Sequence, residues 1–201
     1  ISYQPPQKIT SHFTIAFSAI DNFTLMSQIK IIDFGTSCRQ GELAFNYIQS
    51  RFYRAPEVVL GSSYGTSIDI WSAGCIIAEL FVGKPLFPAT DETDLLFKFI
   101  ETLGEPPQSV IQMKADFQSK NSKKPKTPPQ QNKFFGDDGR LLNVKKQPVP
   151  MKTRLTSFLK SSDTMMIDFL SKCLEWDKNK RKSAAKLLKH PWIAEFAKRK
   201  I

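Results

Sequence analysis

Apolar positions recur most regularly between Ser67 and Val82. Ile68, Trp71, Cys75, Ala78 and Val82 form one stripe at helical spacing, and Ile70, Gly74, Ile77 and Phe81 form a second. This predicts a helix over 67–82 that is apolar on nearly all sides and belongs in the middle of a core. Gly83 closes it and Pro85 forbids its continuation. A second helix is predicted over 91–103, capped by Thr90, with Leu95, Leu96, Phe99, Ile100 and Leu103 on one face and Gly104 as its stop. Ser162 is placed to cap a third, over 163–174, where Met165, Met166, Phe169, Leu170, Cys173 and Leu174 repeat the spacing; Ser183 caps a short one through Leu188. Upstream, the β-branched run in Gln28–Gly35 predicts a short buried strand ending in a turn. Residues 1–27 carry little pattern beyond a brief alternation of Phe13, Ile15 and Phe17. Residues 106–150, rich in Pro, Lys and Gln, have too few apolar positions to bury and read as a long irregular insert. No internal repeat is present. The expected fold is mainly α, built around one central buried helix.

Composition changes this picture little. The chain has 201 residues, enough for one well-cored domain, and no apolar run of the ~18 to 20 residues that a membrane span needs. It shows no secretory signal, and the missing initiator Met suggests a fragment. Cys38, Cys75 and Cys173, with His12 and His190, have no metal-ligand spacing and read as reduced thiols of a cytoplasmic or nuclear protein. The net charge of +10 gathers in Lys120–Lys126, Lys145–Arg154 and the tail Lys198–Lys200. Solvated loops explain it better than a nucleic-acid site.

Four motifs follow in order. Asp33-Phe34-Gly35 ends the predicted strand, where a carboxylate can hold Mg²⁺ against nucleotide phosphates and a glycine frees the next loop. Tyr53-Arg54-Ala55-Pro56-Glu57 places Ala55 22 residues beyond Asp33. Ile68-Asp69-Ile70-Trp71-Ser72-Ala73-Gly74 opens the buried helix, and Arg181 stands in Trp176–Arg181, followed by His190-Pro191-Trp192. A lone D-F-G is a weak signal; the set at this spacing is specific.

Residues 28–193 resemble the lower, C-terminal lobe of a protein kinase of the CMGC group, within it the dual-specificity tyrosine-regulated (DYRK) family. The segments that carry this are Tyr47–Gly61, Cys173–Asp177 and Phe135–Gly139, the last similar to that family's insert. The resemblance implies an activation segment over 33–57, an atypical segment over 1–27 and a basic tail over 194–201. It implies Asp33 as Mg²⁺ ligand, Gly35 as hinge, and Tyr47 as the autophosphorylated tyrosine, with Arg51 and Arg54 clamping its phosphate. A second tyrosine of the family is replaced here by Phe45. Guanidinium forks pair bidentately with phosphate, which would order the segment. Glu57 and Arg181 match the family's structural ion pair. Asp69 matches a carboxylate that receives backbone N–H groups of the catalytic loop; by itself it reads as a helix-dipole partner. Trp176, Trp192, Met165 and Met166 fit helical packing without chemistry, and Lys84 and Lys98 read as solvated.

The same resemblance exposes what is missing. No G-x-G-x-x-G occurs, and no H-C-D-L-K-P-E-N-like loop precedes Asp33: His12 falls near the expected place, but no Asp follows it there. Asp21 and Asn22 come too late and adjoin, so they cannot fill both catalytic-loop roles. No catalytic residue is therefore assigned, and both the N-terminal lobe and the catalytic loop are expected to be missing. The complete enzyme would use ATP and Mg²⁺ on protein substrates, with docking partners on the lower lobe; this chain alone is expected to be inactive and to hold nucleotide weakly. The alternative is a non-catalytic binding module or decoy derived from a kinase lobe.

Overall fold

The computed structural model describes residues 9–10, 14–15, 31–39, 48–111 and 151–198. Two antiparallel ladders come first. Strand β1 (Ile9–Thr10) pairs with β4 (Cys38–Arg39), and β2 (Thr14–Ile15) with β3 (Ile31–Ile32). Of the strand foreseen over 28–35, Ile31–Ile32 form β3 and 28–30 lie outside the described residues; it is not buried as expected, Ile32 being 45% exposed, and Ile15 belongs to its partner. Phe13 and Phe17 lie outside the described residues, as do 112–150 of the expected insert.

The rest is helical: a 3-10 turn at Arg51–Tyr53, then α1 (Pro56–Val59), α2 (Ser67–Val82), α3 (Glu92–Leu103), α4 (Met151–Leu159), α5 (Thr164–Cys173), α6 (Ala184–Leu187) and α7 (Pro191–Lys198). Helix α2 occupies the predicted 67–82 and ends on Gly83, whose left-handed φ of 78° a glycine adopts without a Cβ clash. Its first stripe is buried at Ile68, Trp71, Cys75 and Ala78. The second is buried only at Gly74: Ile70 and Ile77 are half-buried and Phe81 is 52% exposed, as is the neighbouring Leu80 at 62%. The expectation of burial on nearly all sides is corrected accordingly, because the described elements cover one side of α2 only.

The caps shift by one residue. Asp91 and Asp163, not Thr90 and Ser162, accept the backbone N–H of Asp94 and Met166, both at 2.9 Å. A carboxylate there also favours the positive helix end. Ser183 sits at the cap of α6 without a side-chain cap bond. Helix α4 was not foreseen, and its first turn falls in the stretch 145–154 taken as solvated. Arg154 instead lies half-buried and donates through Nη1 to the carbonyls of Ile100 and Glu101, at 3.0 and 2.8 Å. Both lie at the end of α3, where intrahelical donors run out; the Ile100 carbonyl also accepts the capping Gly104 N–H at 2.9 Å. Helix α7 likewise runs into the expected tail.

The core holds an aromatic cluster. Trp71, Phe87 and Phe99 pack with centroids 4.7–5.8 Å apart, and Trp176 meets Phe99 edge-on at 5.7 Å. The Trp176 indole N–H donates to the Gly104 carbonyl at 3.1 Å, tying the chain after α5 to the end of α3. Met166 is buried, Trp192 half-buried, but Met165 is 41% exposed and does not pack as expected. The three cysteines are free and buried; burial pushes the Cys173 thiol up to about 12 and Cys75 well up too. No helix among the described residues is long and apolar enough to cross a membrane.

Helix α5 crosses α2 where Gly74 lacks a side chain. A Cβ there would stand 2.7 Å from the Cys173 Cβ and 3.2 Å from Leu174 Cδ2. Gly74→Ala is expected to destabilise the fold by ~1–3 kcal/mol, read from the urea midpoint. Midway along α5, Asp168 receives Lys152 of α4 at 2.5 Å, Lys172 one turn on, and His190 Nε2 at 2.9 Å. Those hydrogen bonds, from Lys152 first, hold its carboxyl well below the ordinary range. A depressed folded-state pKa stabilises above the unfolded value and is lost as pH falls. Asp168→Asn should therefore lower thermal stability at pH 7, with the gap to the parent closing on acidification below about pH 4.

Candidate functional site

The turn at Asp33-Phe34-Gly35 follows β3 and is exposed throughout. Asp33 itself takes the left-handed backbone, φ 60°, and the Gly35 N–H donates to its Oδ1 at 3.3 Å. Among non-glycine residues Asp and Asn tolerate this region best, because the short side chain bonds the nearby backbone. The Ser37 N–H closes the turn on the Phe34 carbonyl at 3.0 Å. The unusual conformation thus falls on the carboxylate residue rather than on the glycine. One exposed carboxylate fits a Mg²⁺ ion, which takes one or two protein carboxylates and fills its other positions with phosphate and water. No cluster of three or more metal-ligating side chains exists among the described residues.

Tyr47 lies outside the described residues. The residues after it are held by a dense set of buried bonds. Gln49 is buried with φ 70°, a strained position for a residue with a Cβ. Its amide compensates: Nε2 donates to the Ile68 carbonyl at 3.0 Å and to Ser72 Oγ at 2.7 Å, while Oε1 accepts the Ala55 N–H at 2.8 Å. Ser72 in turn donates to the Tyr53 carbonyl at 2.8 Å. The segment is thereby riveted to the first two turns of α2.

Arg54 completes the seat. Its Nε donates to the Ile48 carbonyl at 3.1 Å, Nη2 to the Gln49 carbonyl at 2.8 Å, and Nη1 to Glu92 Oε1 at 2.8 Å. Glu92 lies in the first turn of α3, so one guanidinium joins the segment to that helix. Arg51 donates through Nη1 to the Thr90 carbonyl at 2.5 Å, and its Nε is buried without a hydrogen-bond partner among the described residues. Tyr53 donates to Glu79 Oε2 at 2.7 Å; burial and that carboxylate push its phenol up to about 12.

Beyond this seat, Glu57 and Arg181 meet as a bidentate pair at 2.7 and 2.9 Å, with side chains 4% and 0% exposed. Arg181 also donates to the carbonyls of Ser67 and Glu175, and its guanidinium lies 5.2 Å from the Trp71 ring centre. Ser67 Oγ donates to Glu57 Oε1 at 3.2 Å. The full set of partners offsets the desolvation of both charges. Nearby, Lys178 donates to the carbonyl and hydroxyl oxygens of Ser63; burial lowers its ammonium pKa. Asp69 lies half-buried in the first turn of α2, at the positive end of its dipole.

Thus Glu57 and Arg181 come together, and Arg54 reaches the backbone just after Tyr47. Gln49, Glu92 and Ser72 were not anticipated. An uncharged Gln and Ser carry no signal of their own, and Glu92 reads as an ordinary first-turn acid until α3 is placed beside the segment.

Glu57→Ala leaves the Arg181 guanidinium buried and unpaired, and is expected to cost ~3–5 kcal/mol by chemical denaturation. Glu57→Ala with Arg181→Met should recover part of that loss. Additive losses would show that the two side chains act separately.

Comparison with known proteins agrees with this geometry. Residues 20–193 match the protein kinase domain. The chain is 42% identical over 181 residues to dual specificity tyrosine-phosphorylation-regulated kinase 3 of Mus musculus, covering 84% of this chain and 30% of that one. It is 41% identical to human dual specificity tyrosine-phosphorylation-regulated kinase 4, covering 83% of this chain and 30% of that one. It is 43% identical to serine/threonine-protein kinase ppk5 of Schizosaccharomyces pombe, covering 84% and 19%. The chain spans about a third or less of the length of these relatives. With the segment seated on α2 and the buried pair beneath it, these matches establish that the chain belongs to the protein kinase family, in its dual-specificity tyrosine-phosphorylation-regulated branch.

Proposed function

We propose that these residues form the lower lobe of a Ser/Thr-directed kinase that phosphorylates its own Tyr47 and, as a complete enzyme, transfers phosphate from Mg·ATP to protein substrates in the cytoplasm or nucleus. The seat built for residues 48–57 supports this most. Arg54 grips the two carbonyls that follow Tyr47, and Arg51 has a buried N–H to spare. A phosphate on Tyr47 adds about −1.5 to −2 charges and strong acceptors, which in this reading Arg51 and Arg54 would clamp. It would compete with Glu92 for Arg54. Asp33 serves as one Mg²⁺ ligand, Gly35 as the hinge after it, and Asp69 as an anchor for backbone N–H groups of a catalytic loop. Glu57 and Arg181 hold the segment to the helical base.

The 201 residues by themselves are proposed to be inactive and to bind ATP weakly, because their sequence holds neither a catalytic-loop motif nor a phosphate-covering glycine loop. A second reading, a non-catalytic binding module, is favoured by the exposed Leu80 and Phe81 on α2. In it, the helix from Asp91 and residues 47–61 would dock partners.

Purified chain with Mg²⁺ and radiolabelled ATP is expected to label neither itself nor a basic protein substrate; labelling abolished by Asp33→Ala would overturn the inactivity. Residues 28–201 joined to the upstream half of the kinase domain of the mouse relative should phosphorylate serine or threonine peptides and Tyr47, read by mass spectrometry. Tyr47→Phe should remove the phosphotyrosine, and Asp33→Ala all activity. A folded chimaera without activity would leave the binding-module reading standing.

A further inference from the structure

A groove of about 270 Å³ runs between the chain that follows α2, helix α3 and helix α4, away from the seat of residues 48–57. Its walls are apolar at Pro85, Leu86, Pro88 and Phe158, and three cations line it: Lys84, Lys98 and Arg154. They face one carboxylate, that of Glu101. The groove is also structurally defined. Arg154 is fixed by the carbonyls of Ile100 and Glu101, and Lys84 Nζ lies 5.9 Å above the Phe158 ring. Lys98 is positioned by Asp94 at 3.6 Å on its own helix. Cations held over an apolar floor cost little further entropy on binding and are only partly screened by water.

We propose that this groove docks an acidic linear segment of a protein partner, with an apolar side chain on Phe158 and Leu86 and flanking Asp or Glu carboxylates on Lys84, Lys98 and Arg154. The volume admits one or two side chains rather than a folded domain, and the sign of the lining selects an anionic sequence. The assignment rests on the kinase reading for the partner's role, as substrate or regulator, but not for the binding itself.

The test uses the 201-residue chain and a fluorescein-labelled peptide in which glutamates flank a single leucine, with anisotropy as readout. Lys84→Glu with Lys98→Gln should weaken binding about tenfold or more. Lys186→Glu with Lys189→Gln changes the net charge equally on an exposed surface elsewhere and should leave binding within about twofold. Replacing the leucine by serine should also weaken it. Equal loss in both variants would reduce the effect to net charge and overturn the proposal. So would tighter binding of a duplex DNA of matched length that displaces the peptide, or no binding to the parent chain. Because no phosphate transfer is measured, failure here is distinguishable from failure of the kinase reading.

Discussion

Glu57 and Arg181, 124 positions apart, share two hydrogen bonds in a place that water does not reach. Two charges taken out of solvent are stable only if every remaining donor and acceptor also finds a partner. Here the surplus donors of Arg181 go to the carbonyls of Ser67 and Glu175, and its flat face lies on Trp71. One guanidinium therefore fixes three things at once: the residue ending the 48–57 segment, the first turn of α2, and the loop after α5. The fold cannot shift any of them without uncovering a charge.

That constraint makes the strained backbone upstream tolerable. Gln49 keeps its left-handed conformation because its side chain has three hydrogen-bond partners, on Ile68, Ser72 and Ala55. Arg54 then turns the carbonyls of residues 48 and 49 inward and extends the network to Glu92 on α3. One guanidinium thus ties residues 48 and 49 to α3. The groove beside Lys84 is lined by residues of that same helix, Lys98, Glu101 and Thr102.

The basic character of the chain takes a different form in space than along the sequence. Several described cations hold partners on the fold: Arg154 on the end of α3, Lys152 and Lys172 on Asp168, Lys178 on Ser63. These four act as caps and ties. Other described lysines stay exposed, among them Lys186 and Lys189.

The sequence by itself determined the central helix, its glycine stop, the apolar faces of α3 and α5, and the family. Each of those rests on local periodicity or on a motif of fixed spacing, which survives without knowledge of neighbours. It also named Glu57 and Arg181 as a pair, through family resemblance. Only the tertiary structure decided which stripe of α2 is covered, because burial depends on what packs against it, and Leu80 and Phe81 look like any core residue in a string. Helix α4 was illegible for a related reason: its first turn is basic, and Arg154 becomes structural only when the end of α3 offers it carbonyls. The same holds for Gln49, Ser72 and Glu92. Their roles are hydrogen bonds across 19 to 38 positions, and a polar side chain carries no mark of a partner that folding alone brings near.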